Sequence, residues 1–293
     1  SFPHSRTPAA YMLVFLLLGL AEGLSQVPGL NRTKENSPYH IYVITMPARK
    51  EHVMKSLSEL ELADAAKLHP AITPDNVEPE QIAEESVLKI KETACAMSHW
   101  TMYQKFLQSG QQYAIVIEDD FIPTEYAKDL IEDHGDSALT TFISRIITER
   151  KEDSWDLLNL ARCYDCCMAK CQNVKETYED FGAALVTSPH PYCGTAYLIN
   201  RKAASVMSGN MPIVRETDDN MLYYGLEGEL NYMSVTPRLF RQSHSLFGSS
   251  LHNDAPDECK ECANQQCFAP GDMGADDYAL EVAEWVGGNL LGA

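Results

Sequence analysis

Short apolar runs alternate with helical segments along the middle of the chain. The runs favour strands and occupy residues 40–46, 71–72, 113–117, 155–160, 196–199 and 232–236. The segments between them have helical spacing or composition and occupy residues 50–62, 78–90, 93–107, 121–150 and 201–208. Strands that alternate with helices predict an α/β fold with a mostly parallel sheet. Ligands of such sheets bind at the carboxyl ends of the strands, so the residues after each strand are the first candidates for a site.

A separate apolar run, YMLVFLLLGLA, lies at residues 11–21 and follows Arg6. It is shorter than the roughly 20 residues that a membrane-spanning helix needs. Small residues follow it, so we expect a secretory signal over residues 1–25, with a short signal anchor and a buried helix as alternatives. Residues 26–39 are turn-prone and predict a linker. The protein would then reside in the lumen of the endoplasmic reticulum or Golgi, or be secreted, and would meet the membrane only through an uncleaved signal.

Charge narrows the classes of partner. The 293 residues include 42 acidic and 23 basic side chains, which gives a net charge of −19. A chain this acidic repels phosphate backbones, and acidic residues interrupt its densest basic stretch, residues 145–151. We therefore expect no nucleic-acid partner, whereas the acidity favours the attraction of cations.

Nine cysteines fit a secreted protein. Four lie within residues 163–171 and three within residues 259–267, inside a C-terminal tail over residues 251–293. Cysteines pair in an oxidising lumen, and an odd number leaves at least one free or paired outside the chain. Zinc is the alternative, because the C-terminal group contains a Cys-x-x-Cys spacing. We interpret Cys95 as a small buried residue and not as a nucleophile.

Three adjacent carboxylates form the most informative motif. In AIVIEDDFIP, residues 114–123, four apolar residues run directly into Glu118, Asp119 and Asp120. Adjacent carboxylates repel one another, so solvent or a divalent cation must offset the cost. Oxygen-rich ligand sets suit magnesium, calcium and manganese. At the carboxyl edge of a sheet, such a metal typically bridges to the phosphates of a nucleotide. A solvated acidic loop is the simpler alternative.

Several stretches together resemble glycosyltransferase family 25, the group that contains lipopolysaccharide-type and procollagen galactosyltransferases. The likeness spans residues 41–250, and its most specific parts are the Ser-His and Glu-Asp-Asp segments. The stretches that carry it, in chain order, are IYVITMPARKEHV (41–53), ETACAMSHWTMYQKFL (92–107), AIVIEDDF (114–121), WDLLNL (155–160), GTAYLINRKAA (194–204), DDNML (218–222) and VTPRLFRQS (235–243). Thr45 departs from the family pattern, which usually has Asn there, and the clustered cysteines look like additions.

The resemblance implies a GT-A-like α/β fold with a single catalytic domain over residues 40–250. It further implies transfer of a hexose, with galactose as the first candidate, from a UDP-sugar with inversion, assisted by Mn²⁺ or Mg²⁺. The acceptor would be a glycan or a protein hydroxyl, such as hydroxylysine in a collagen-like chain.

The resemblance also implies roles for the acidic residues. Asp120, with Glu118 or Asp119, would hold the metal against the diphosphate. Inversion needs a general base for the acceptor hydroxyl, and Asp218 or Asp219 is the candidate. A helix N-cap is the alternative role for either aspartate.

Five further positions are candidates for donor or metal binding. Thr45 and Arg49 follow the first strand, where Arg49 would meet uracil or a phosphate oxygen or else lie solvated at the surface. Ser98 and His99 belong to the Ser-His segment. His99 is either a structural histidine bonded to backbone or a residue near the phosphates of the donor. His244, beyond the last strand, is a candidate late metal ligand.

Two other classes of function compete with transfer. A non-catalytic secreted homologue would keep the fold without turnover, and Thr45 and the additional cysteines motivate this alternative. A calcium-binding or cysteine-rich adhesion module would use the tail instead of the sheet. The metal preference separates them: manganese with UDP indicates transfer, and calcium without nucleotide indicates adhesion.

Overall fold

The computed structural model describes residues 38–151, 154–162, 173–187 and 193–243. Contacts divide the chain into two units, residues 1–36 and 37–293, and every described residue belongs to the second. The predicted signal, most of the linker, the four-cysteine cluster and the tail therefore lie outside the described residues. Within the described ranges, no helix combines the length and the apolar character that a membrane span requires.

Strands and helices alternate over most of the described chain. The strands are β1 (Tyr39–Thr45), β2 (Ala66–Pro70), β3 (Tyr113–Glu118), β4 (Phe121–Pro123), β5 (Leu157–Asn159), β6 (Asn173–Tyr178), β7 (Ala183–Thr187), β8 (Ala196–Asn200), β9 (Tyr232–Thr236) and β10 (Phe240–Gln242). The helices are α1 (Lys50–Glu59), α2 (Ile90–Gln108), α3 (Glu125–His134), α4 (Ala138–Thr148), α5 (Arg201–Ser208) and α6 (Thr217–Leu226).

Eight of these strands form one mixed sheet in the order β2-β1-β3-β8-β5-β9-β7-β6, and β4 pairs with β10 separately. The pairings β1–β2, β1–β3 and β5–β9 are parallel. Strand β8 is antiparallel to β3 and β5, and β7 is antiparallel to β9 and β6. Strands β7 and β8 thus oppose the common direction of the other six. The predicted α/β class, with a mostly parallel sheet flanked by helices, is confirmed.

The central strands of the sheet are buried on both faces. Along β3, Ile115 and Ile117 pack into the apolar layer that α1, α3 and α4 cover, whereas Ala114 and Val116 pack into the layer under α2 and α5. Successive side chains of a strand point to opposite faces, and a strand covered on both sides is apolar throughout. This double coverage explains the continuous apolar run of β3, and it leaves the ends of the strands as the place for polar groups.

Two sequence-based elements were wrong in position or type. Residues 78–90 were expected to be helical, but they contain only a 3₁₀ turn at Pro79–Gln81 before α2 begins at Ile90. The backbone there bonds to Ile213 instead. The Ala83 N–H donates to the Ile213 carbonyl at 3.0 Å, and the Ile213 N–H donates to the Gln81 carbonyl at 2.7 Å. The short strand predicted at 71–72 lies just before, as β2.

The region between β5 and β8 holds a hairpin that the apolar pattern did not predict. Strands β6 and β7 pair antiparallel at the edge of the sheet, and most side chains of β6 are exposed. An edge strand with few buried side chains has no apolar run to reveal it. The expected helical stretch 121–150 is interrupted at Gly135, where φ is 85° and α3 ends.

Candidate active site

Most of the predicted site residues that the structure describes lie at one edge of the sheet. Strands β1 and β3 are adjacent and parallel, with Ile44 opposite Glu118, so the acidic trio follows β3 beside the end of β1. Helix α2 crosses this edge with Cys95 and His99, whose side chains reach Glu118. The first turn of α6 lies against the same place, because a Cβ added to Gly194 would be 3.7 Å from Thr217 Cγ2 and 3.8 Å from Glu118 Oε1.

Asp119 holds the loop that follows β1. One carboxylate oxygen accepts a hydrogen bond from the Met46 N–H at 2.6 Å, and the other accepts from Arg49 Nη1 at 2.7 Å. Thr45 is buried and donates its hydroxyl to the Met46 carbonyl at 3.1 Å. The structure therefore places Thr45, Arg49 and Asp119 together, with Asp119 engaged by protein groups and the Arg49 side chain 18% exposed at the rim.

Asp120 is buried without full compensation. Its Oδ2 accepts from Gln242 Nε2 at 2.9 Å and lies 3.9 Å from Arg49 Nη1. Its Oδ1 is buried and has no hydrogen-bond partner among the described residues. Burial, and next the negative charge of Glu118, raises the pKa of Asp120 to about 7. A buried carboxylate oxygen without a partner is costly, and a bound cation would remove that cost.

Glu118 terminates a buried chain of hydrogen bonds. His99 Nε2 lies 2.8 Å from Glu118 Oε1, and His99 Nδ1 lies 2.8 Å from the Tyr197 hydroxyl, which in turn lies 3.0 Å from the Tyr103 hydroxyl. The Cys95 thiol also donates to Oε1, at 3.7 Å. Burial alone would raise the pKa of Glu118, but His99 and the thiol outweigh burial and hold that pKa below its ordinary value. Side chains thus fix His99. The structural alternative given above, a histidine bonded to backbone groups, is not what the described residues show.

Ser98 points away from this chain of hydrogen bonds. Its hydroxyl donates to the Ala94 carbonyl at 2.9 Å and accepts from the Ile72 N–H at 2.8 Å. The second contact ties α2 to the segment after β2, so the hydroxyl supports the scaffold of the site. The donor-binding role predicted for Ser98 stays a prediction, and His244 lies outside the described residues.

The two aspartates of α6 face different neighbours. Burial and then the charge of Glu118 raise the pKa of Asp218 above its ordinary value. Burial and then the charge of Asp218 raise the pKa of Asp219 to about 7, against the lowering influence of Arg215. Asp218 is thus electrostatically coupled to Glu118 of the acidic trio, and Asp219 is coupled first to Asp218 and then to Arg215. The sequence had left these two residues equivalent.

Glu216 is a site residue that sequence reasoning missed. It is the N-cap of α6, and burial, followed by the charges of Asp218 and Asp219, raises its pKa to about 9. Gln242, Cys95 and Tyr197 were also missed as members of the site. For Glu216 a signal existed, because it precedes Thr-Asp-Asp and extends the second acidic run.

We expect Glu216→Gln to stabilise the metal-free protein at pH 7. A carboxyl group whose pKa is raised from 4.5 stabilises the fold only below that ordinary value, and this contribution is lost as the pH rises toward 9. Glu216 is partly exposed, so solvent screens its charge. We therefore expect the free energy of unfolding to rise by about 1 kcal/mol, or the Tm by about 2–4 °C. Thermal unfolding at pH 4 and pH 7 measures it, with exposed Glu84→Gln as control. An equal gain at both pH values would contradict the electrostatic account.

One protein-family model matches most of the described chain. The family model described as glycosyltransferase family 25 (LPS biosynthesis protein) matches residues 39–222, a range that includes the acidic trio, Asp218 and Asp219. No curated protein matches the sequence significantly.

Two solved structures are similar in outline. One is a glycosyltransferase involved in the glycosylation of the major capsid of PBCV-1, with 10% identity and a TM-score of 0.38, covering 72% of this chain and 95% of its own. The other is a mutant of Drosophila beta-1,4-galactosyltransferase 7 in complex with manganese, UDP-Gal and xylobiose, also with 10% identity and a TM-score of 0.38, covering 81% and 83%. Similarities this weak support no inference about function. The family match covers more than half of the sequence and confirms the resemblance found in its motifs: the chain belongs to glycosyltransferase family 25.

Proposed function

We propose that the chain is an active transferase that moves a hexose, with galactose as the first candidate, from a UDP-sugar to an acceptor hydroxyl with inversion. The observation that carries this proposal is the uncompensated Asp120 Oδ1 within an acidic trio at the carboxyl edge of the sheet. A non-catalytic homologue has no need to bury a carboxylate in this way, because an apolar or amide side chain there would cost less.

The residues at this edge fit a divalent cation. Asp120 offers a buried oxygen for which the described part of the chain supplies no partner, and oxygen ligands suit Mn²⁺ or Mg²⁺. Asp120 would therefore be the principal protein ligand, because Asp119 is engaged by Arg49 and Glu118 Oε1 by His99. When bound, such a cation neutralises the diphosphate and makes it a better leaving group. His244 stays a candidate ligand because it directly follows Ser243, whose N–H donates to the Asp120 carbonyl at 2.8 Å.

Arg49 would bind the donor, and Asp218 would act on the acceptor. Arg49, held by Asp119, presents its guanidinium at the rim, where the phosphates or the uracil of the donor would contact it. Asp218 would take the proton of the acceptor hydroxyl as its oxygen attacks the anomeric carbon. The bond from that carbon to the diphosphate oxygen breaks on the opposite face and UDP leaves, which inverts the configuration. We favour Asp218 over Asp219 because it is coupled to the trio.

We place this reaction in the lumen of the secretory pathway. The apolar run at 11–21, the Asn-Arg-Thr sequon at 31–33 and the nine cysteines support that location. Cys193 is assigned as disulfide-bonded, which also suits an oxidising compartment. The acceptor would be a hydroxyl of a glycan or of a hydroxylysine-bearing protein.

Calorimetric titration of UDP into the purified chain, with and without Mn²⁺, tests the proposal. Metal and nucleotide should bind cooperatively, so we expect at least about tenfold tighter UDP binding in the presence of Mn²⁺. Release of UDP from UDP-galactose and UDP-glucose would then identify the preferred donor. Failure of UDP to bind with Mn²⁺ present would overturn the transferase and favour the non-catalytic homologue. Calcium binding without any effect of nucleotide would favour the adhesion module.

A further inference from the structure

Three different metal-ligating side chains meet beside the acidic trio. Cys95 and His99 are one turn apart on the same face of α2, and Glu118 ends the neighbouring strand β3. One ligand atom from each of the three side chains lies within 4.8 Å of the other two. We propose that Cys95, His99 and Glu118 bind a transition-metal ion of the zinc class, at a site separate from the oxygen of Asp120.

The ligand types select such an ion. Thiolate and imidazole favour zinc and its neighbours, whereas Mg²⁺ and Mn²⁺ favour oxygen. Tetrahedral zinc, with bonds of about 2.0 Å to nitrogen and oxygen and about 2.3 Å to sulfur, keeps its ligand atoms about 3.3–3.6 Å apart. The Cys95–Glu118 distance of 3.7 Å is already close to this range. The His99–Glu118 distance of 2.8 Å would need to widen by about 0.5 Å as the metal replaces the hydrogen bond.

The protonation states balance on binding. Cys95 must release its thiol proton to solvent, because the thiolate is the ligand. His99 must coordinate through Nε2 and carry its remaining proton on Nδ1. The Tyr197 hydroxyl lies 2.8 Å from Nδ1 and can accept that proton in a hydrogen bond, while the Tyr103 hydroxyl supports Tyr197 at 3.0 Å. Metal-bound histidines commonly have such a partner on their other nitrogen.

The fourth position of the ion would be open. Gly194 faces the group, and a Cβ there would lie 3.8 Å from both Glu118 Oε1 and His99 Cε1. A side chain at this position would therefore contact two of the three ligands, and glycine leaves this side of the ion uncrowded. Three protein ligands and one open position are typical of zinc sites that are not purely structural. The ion would also tie α2 to the end of β3 beneath the edge where the nucleotide is proposed to bind.

Cobalt substitution tests this site without nucleotide. Co²⁺ is titrated into the metal-free, non-reduced chain, in which Cys95 is the free thiol among the described cysteines. We expect one equivalent to produce a thiolate-to-cobalt charge-transfer band together with the visible bands of tetrahedral Co²⁺. Cys95→Ser should abolish the charge-transfer band, Tyr197→Phe should weaken Co²⁺ binding about tenfold, and Asp120→Asn should leave the spectrum unchanged.

The other cysteines make Cys95→Ser the deciding comparison. A wild type without the charge-transfer band, or an identical band in Cys95→Ser, would overturn the site. Thermal unfolding checks that each variant folds, and Cys95→Ala gives a second test if the serine variant is unstable. Zinc retained per chain, measured by native mass spectrometry, should fall by one in either cysteine variant. Because no UDP is present, failure here leaves the transferase proposal intact, and loss of UDP binding leaves this site intact.

Discussion

Replacing Asp120 with asparagine should abolish the effect of Mn²⁺ on UDP binding and lower kcat/KM for transfer by at least about 10³-fold. The reason is that Asp120 offers the one buried carboxylate oxygen in the trio for which the described residues supply no partner. Stabilisation of charge by a metal is worth several kcal/mol in the transition state, and each 1.4 kcal/mol is about tenfold in rate. Asparagine keeps the shape of the side chain, so the loss would report on the charge.

Folding of the Asp120→Asn variant can be checked independently. Burial raises the pKa of this carboxyl group, so its removal should not lower the Tm of the metal-free protein at neutral pH. Asp180→Asn is the matched control, because Asp180 is 78% exposed and pairs with Arg145 away from the site. If UDP binding by Asp120→Asn still depended on Mn²⁺ as in the wild type, other residues would have to bind the cation.

Asp218→Asn should lower kcat by about 10²–10⁴-fold while UDP binding with Mn²⁺ changes by less than about threefold. A general base acts on the acceptor in the transition state, so its loss affects turnover and not the binding of the donor. Asp219→Asn should have a much smaller effect, because the charges that act most strongly on Asp219 are those of Asp218 and Arg215. Steady-state kinetics with saturating donor, together with UDP calorimetry, separate the two outcomes.

The Asp219 variant is the internal control for this prediction. Asp218 also accepts the Asp219 N–H at 3.1 Å at the start of α6, so a purely structural role predicts lower stability and equal losses in kcat and UDP affinity. A kcat deficit confined to Asp219→Asn would assign the base to the other aspartate. Equal activity of both variants and wild type would exclude a base on this helix.

Charge balance explains why so many acids can share this edge. Arg49 pairs with Asp119, and His99 and the Cys95 thiol bond to Glu118, whereas Asp120 has a hydrogen bond from Gln242 on one oxygen only. Asp120 and the α6 acids Glu216 and Asp219 carry raised pKa values instead. Carboxyl groups with raised pKa values often lie together at functional sites, because a bound ligand supplies the positive charge or hydrogen bonds that the protein does not.

The non-catalytic alternative makes different predictions from these. Thr45 is one of the features that motivate this alternative, and among the described residues its hydroxyl bonds to the next backbone carbonyl at 3.1 Å. If turnover had been lost, the Asp120 and Asp218 variants would gain stability without losing any nucleotide binding. The two variants therefore test the proposed reaction and its rival together.

Local pattern alone predicted most of the central elements. Strand β3, helix α5 and strand β9 lie within a residue or two of their predicted ranges. A buried strand has a continuous apolar run, and a helix has apolar residues three or four positions apart. The edge hairpin β6–β7 was missed because exposed strands lack that pattern. Residues 78–90 were mistaken for a helix because their composition did not reveal a backbone bonded to Ile213, more than 120 positions away.

By itself, the sequence determined the fold class, the family and the position of the acidic trio after a buried strand, since all three depend on short-range order along the chain. Only the tertiary structure decided which partner each member of the trio has. Asp119 pairs with Arg49, Glu118 bonds to His99, and Asp120 keeps one buried oxygen without a partner among the described residues. It also brought Glu216 and Cys95 to the same edge. The physical reason is that pairing and desolvation of charges depend on which side chains meet across the sheet, and residues far apart in sequence set those distances.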